Sequence, residues 1–154
     1  MKKYLTLHNA VKCCAVVLGL VAFFLMFAKQ LYVELLGNRA YISFGDALFG
    51  SGNAKGAVLA FFGYLFVLIA VGALAVSVFA KFDDKIAKIL PIAVACLFLI
   101  GALFILLEAA VYNGANEIKA AHLTAGPVFA GILAIISGCG VGATLVLKDK
   151  SLAK

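Results

Sequence analysis

The sequence predicts an all-α membrane protein, a left-handed antiparallel bundle of four transmembrane helices. Three observations carry that prediction. The 154 residues are 66% hydrophobic and 13% charged, whereas a soluble domain carries about 25% charged residues, and mean hydropathy is +1.15. Four apolar runs, Cys13–Ala28, Ala57–Ala80, Ile89–Val111 and Leu123–Leu147, each approach or exceed the roughly 20 residues that cross a bilayer as a helix. None alternates in the manner of a barrel strand, so helices are the way to satisfy the backbone in lipid. The spans are expected over about 9–29, 56–80, 86–111 and 124–147, as a single integral membrane domain over residues 1–154.

The first run follows Met1–Lys3 as the apolar core of a signal peptide would. The segment "LMFAKQ" lacks an A-x-A cleavage pattern, and no lipidation box precedes Cys13, so the run is read as a retained helix. Asp83 and Asp84 are placed to cap the third span at its positive end, with Pro91 a short way inside it. Thr124 is the expected N-cap of the fourth span, with Pro127 in its first turn. That span also carries the clearest packing signal. Gly126, Ala130, Ala134, Gly138 and Gly142 recur every fourth residue, a stripe that lets another helix approach closely.

Lysine and arginine set the expected orientation. Lys2, Lys3, Lys12, Lys81, Lys85, Lys88, Lys148, Lys150 and Lys154 lie at the termini and the middle loop. Lys29, Arg39, Lys55 and Lys119 lie in the other two loops. Both termini are therefore expected in the cytoplasm of a multi-pass plasma-membrane protein. The net charge of +6 belongs to this bias and to anionic lipid headgroups, not to nucleic acid. Cys13, Cys14, Cys96 and Cys139 show no CxxC or Cys/His spacing. They read either as a thiol or metal cluster or, more commonly, as small buried residues.

Glu108 is the acid inside a predicted span. A buried membrane carboxylate is a candidate ion or proton site. The blander reading is a residue near enough to the interface to reach water, or to pair with Lys29 or Lys119. His8 and His122 fall at opposite membrane faces and share no metal site. No G-x-S-x-G elbow occurs, and "FGSGNAKG" lacks the Lys-Ser/Thr ending of a phosphate loop. No enzymatic activity, cofactor or metal is expected.

The first outer loop, about 30–55, is the longest polar segment. Gly37-Asn38 lies between two runs able to be strands, and Gly at the first central position suits a type II′ hairpin. Tyr41, Phe44 and Phe49 are expected at the helix ends or headgroup layer, and Asp46 as a cap of the second span. Together these four form either a partner surface or a lid over the helix tops. A longer first outer loop, a short second one and internal termini share the claudin layout as a topological analogy, without the Trp and loop cysteines of that signature. Phe44-Gly45, Phe49-Gly50 and the opening "LTAGPVFAGILAIISG" resemble small tetraspan membrane proteins of Gram-positive and related bacteria, a group with no assigned activity. The resemblance implies the fold and a plasma-membrane address. The expected function is that of a non-enzymatic accessory or scaffolding subunit, assembling with itself or another membrane protein. The alternative is a small ion- or proton-coupled transporter using Glu108.

Overall fold

The computed structural model describes residues 6–35, 37–80, 82–117 and 120–147. Four helices are long and apolar enough to cross a membrane, over Leu7–Phe27, Leu59–Phe79, Lys85–Leu106 and Ala125–Ala143. They are α1 (Leu7–Phe24) with a closing 3-10 turn (Leu25–Phe27), α3 (Leu59–Phe79), α4 (Asp84–Leu106) and α6 (Ala125–Ala143). α1 and α4 each pack against both α3 and α6, closing a four-sided bundle. At one end lies a cap made of β1 (Leu31–Leu35), β2 (Asn38–Ile42), α2 (Phe44–Phe49), α5 (Glu108–Ala115) and β3 (Ala121–Leu123). At the other end, His8 Nε2 lies 2.8 Å from the Leu147 carbonyl oxygen, joining the start of α1 to the residues after α6.

Helix ends follow from local chemistry. The Thr6 hydroxyl accepts the Asn9 N–H at 3.3 Å and starts α1. Asp83 and Thr124 occupy the N-cap positions of α4 and α6, yet neither side chain makes the capping hydrogen bond. Pro91 sits within a continuous α4. Asp46 proves not to cap the second span. It lies in the first turn of the separate short helix α2, where Ser43 is the N-cap and accepts the Asp46 N–H at 3.2 Å. α2 stops at Gly50, whose φ of +80° only glycine adopts without strain.

The bundle core holds Ala15, Ala22, Val67, Ala70, Leu74, Val94, Phe98, Ala102, Ile105 and Ala134, among other buried residues. Small side chains set its spacing. A Cβ on Gly63 would lie 2.8 Å from the Gly101 carbonyl oxygen, and one on Gly101 2.8 Å from that of Gly63. α3 and α4 therefore meet backbone to backbone. Along α6, Ala130 and Ala134 are fully buried. A Cβ on Gly126 would meet the Ala28 Cβ at 2.9 Å, and one on Gly138 the Phe98 Cβ at 3.1 Å. Gly142 departs from the stripe: a Cβ there meets nothing within 4 Å, because a spacing of four drifts around a helix of 3.6 residues per turn.

The cap sheet has strand order β2-β1-β3, antiparallel throughout. The hairpin register pairs Leu35 with Asn38. Gly37 is thus the second central residue of the turn, with φ +81°, rather than the first as a type II′ turn requires. β3 comes from the other loop at the same end, and the sequence reading had no strand there. It adds to β1 because Leu31 and Val33 alternate onto one face, opposite Leu123 and Ala121. They bury that face over Ala47, Ala57 and Tyr112. The other face carries Tyr32 and Glu34.

Candidate functional site

Two clusters in the cap carry the polar and aromatic chemistry. The first lies where cap meets bundle. Gln30 lies three residues past the turn that closes α1 and is fully buried. Its Nε2 donates to the carbonyls of Leu25, Met26 and Ala28 at 3.2, 2.8 and 2.9 Å, satisfying acceptors that a helix end leaves open. Its Oε1 accepts the Tyr64 hydroxyl of α3 at 3.0 Å. The Gln30 main chain donates to the Ile42 carbonyl at 3.0 Å and accepts from the Thr124 N–H at 2.9 Å. One residue so ties α1, α3, β2 and the start of α6 together. Phe44 belongs here too. Its ring meets that of Tyr64 edge-on, 5.7 Å between centroids, so it is turned inward rather than offered to a partner.

Glu108 completes this cluster. α4 ends at Leu106, and Glu108 opens the separate helix α5, two residues beyond the end of the third membrane-crossing segment. It is 1% exposed, in electrostatic range of Tyr64, and its Oε2 is buried with no hydrogen-bond partner. The expected contact with water is therefore absent. Lys29 lies instead over the Tyr41 ring, 4.4 Å from its centroid, and Lys119 is outside the described residues. An ionised oxygen buried without a donor costs several kcal/mol, against about 1–3 kcal/mol for an unsatisfied neutral group. Burial accordingly pushes this carboxyl up to about 7.

The second cluster is the outward face of the sheet. The register sets Tyr32 opposite both Tyr41 and His122. Their ring centroids are 6.4 and 5.4 Å from that of Tyr32. Cations flank this row, Lys29 over Tyr41 and Arg39 5.0 Å from the centre of Tyr32. Arg39 also donates to Glu34 Oε1 at 2.9 Å. Tyr41 is 51% exposed and Phe49, at the end of α2, 83%. Of the loop residues singled out in the sequence, Tyr41 stands in this row and Phe49 apart from it at the end of α2. Asp46 accepts a 2.7 Å hydrogen bond from the Ser43 hydroxyl.

Two asparagines hold α5 to its neighbours. Asn113 Nδ2 donates to the Ala121 carbonyl at 2.9 Å, and Asn113 Oδ1 accepts the Ala121 N–H at 3.0 Å, as a neighbouring strand would. Asn116 Oδ1 accepts the Lys55 N–H at 2.6 Å, and Asn116 Nδ2 donates to the Lys55 carbonyl at 2.9 Å. Sequence reasoning passed over Gln30, Tyr32, Tyr64, Asn113 and Asn116. A signal existed for Tyr64, a phenol in an apolar run, since a polar atom in a membrane span needs a partner. The cysteines are corrected as well: Cys13, Cys14, Cys96 and Cys139 are free and lie exposed on the helix surfaces rather than buried. Among the described residues, no group of three or more His, Cys, Asp or Glu is placed to hold a metal ion. No protein-family model, curated protein or solved structure matches the chain.

Proposed function

We propose that this protein is a non-enzymatic membrane subunit, an accessory or scaffold that assembles laterally with itself or another membrane protein through its cap. The observation that carries the reading is the row Tyr41–Tyr32–His122, held in register by three strands drawn from both loops of the cap end. Aromatic rings on a rigid support offer contact area at little entropic cost, and such residues dominate binding energetics. The charge bias of the loops supports a cap outside the plasma membrane with both termini in the cytoplasm. Transport through Glu108 is the weaker alternative. Toward the far end of the bundle the residues that follow Glu108 inward, Ile105, Ala102, Phe98 and Val94, are all buried and apolar, and offer a proton no relay.

Two experiments test the proposal. Purification in mild detergent should recover a complex, and Tyr41→Ala or Tyr32→Ala should weaken it by about 30-fold, the effect of losing roughly 2 kcal/mol at a binding anchor. Unchanged association in both variants overturns the assignment of the sheet face. Proton-coupled flux in liposomes that disappears with Glu108→Gln would move the function to transport. For orientation, Lys85→Cys in a chain otherwise free of cysteine should resist membrane-impermeant thiol reagents in intact cells. Labelling from outside would invert the topology.

A further inference from the structure

We propose that Glu108 is a proton-binding site that latches the cap onto the bundle, occupied while the cap is closed and vacated when it lifts. Oε2 of this side chain is buried without a partner at the junction between the end of α4 and the cap. A proton is the ligand that removes the charge from such an oxygen without needing any space around it. Once the cap lifts, water reaches the carboxyl and the charged form is no longer penalised. The latch stands whether or not the sheet face binds a partner.

The surroundings of Glu108 offer little to compete with this. α3, α4 and β3 pack most closely on α5, and β1 and α2 meet it at Tyr112, their acids Glu34 and Asp46 being exposed and engaged with Arg39 and Ser43. α3 presents Tyr64, whose hydroxyl is already given to Gln30. The last turn of α4 holds no basic residue. On β3 the titratable group is His122, exposed and set against Tyr32 on the far face of the sheet. Within α5 itself, Tyr112 lies one turn further on and is buried in the cap core. Among the described residues, the only ion pair is that of Arg39 with Glu34, on the outward face.

The sign of the effect follows from linkage. A carboxyl whose closed-state pKa is raised holds its proton in the closed form and sheds it on opening. Its contribution to closure is complete below the ordinary carboxyl value near 4.5 and is lost as pH rises to about 7. Across that window the opening equilibrium should increase by about tenfold per pH unit, and then level off.

Hydrogen exchange on the full chain in lipid nanodiscs, corrected for intrinsic exchange rates, reads this directly. In the native chain, protection of amides in β1 and β3 should fall with rising pH across the window, while amides of α3 and α4 around Gly63 and Gly101 change little. Glu108→Gln should abolish the pH-linked part. Persistence of the same pH dependence in Glu108→Gln, or cap protection that ignores pH in the native chain, overturns the latch. Should Glu108→Gln fail to fold, the native chain decides alone by infrared spectroscopy. A protonated carboxyl band should titrate together with cap protection, and a carboxyl already ionised at pH 5 refutes the proposal.

Discussion

In the bundle, α3 and α4 touch where Gly63 and Gly101 leave no side chain between two backbones. In the cap, the carboxamides of Gln30, Asn113 and Asn116 each pair with main-chain groups, and those of Gln30 and Asn116 also reach Tyr64 and Lys55, 34 and 61 residues away in the chain. One region coheres by omitting side chains and the other by using every polar atom of a few. The bundle's contacts are dispersive and spread over many residues, so no single side chain is indispensable. The cap has a small apolar core and concentrates its hold in directed bonds, so losing one partner strands several groups at once.

The largest effect that would sharpen this contrast is expected from Gln30→Leu. The substitution removes the donor to three carbonyls and the acceptor of the Tyr64 hydroxyl, all at or near a fully buried site. With unsatisfied buried groups costing about 1–3 kcal/mol each, the loss should be about 3 kcal/mol or more in detergent unfolding, and a loss under about 1 kcal/mol would break the comparison. A smaller loss, about 1–3 kcal/mol, is expected when Gly138→Leu forces bulk against Phe98 and Ala95. The smallest belongs to Gly142→Leu, which meets open space and should stay within about 0.5 kcal/mol of the native chain. Equal thermal shifts at positions 138 and 142 would mean that the stripe on α6 is not what seats the helix.

The same contrast decides what could be read in the chain before its structure. The four apolar helices, the hairpin and the run Gly126, Ala130, Ala134, Gly138 were legible because each is a local pattern of length or spacing. The register error at Gly37 is also local, a single residue of turn phase. β3, the break before Glu108 and the Gln30–Tyr64 bond were not legible. β3 and that bond depend on partners 34 or more residues apart, and the break on local geometry with no period of its own. Phe44 and Glu108 were noticed for their type with two surroundings left open for each, partner surface or lid for Phe44 and buried site or water-reaching interface for Glu108. An aromatic in a loop and an acid near a helix end both look exposed until the neighbouring segment is folded over them.

The pairing of Asn113 with Ala121 has a chemical consequence. Asn113 is followed by Gly114, the neighbour that least hinders attack of a main-chain nitrogen on the side-chain carbonyl, which closes a succinimide and expels ammonia. That attack is obstructed in the closed cap, since α5 holds the backbone helical and both polar atoms of the amide are engaged. Ring closure then proceeds from the lifted cap, and the aspartate or isoaspartate that results has no donor to return to the Ala121 carbonyl. A stored sample should therefore age at its cap before its membrane helices. The fraction of Asn113 converted, read by peptide mass spectrometry, counts the time the cap has spent open; conversion as fast as in the free peptide would mean that the cap never shields it.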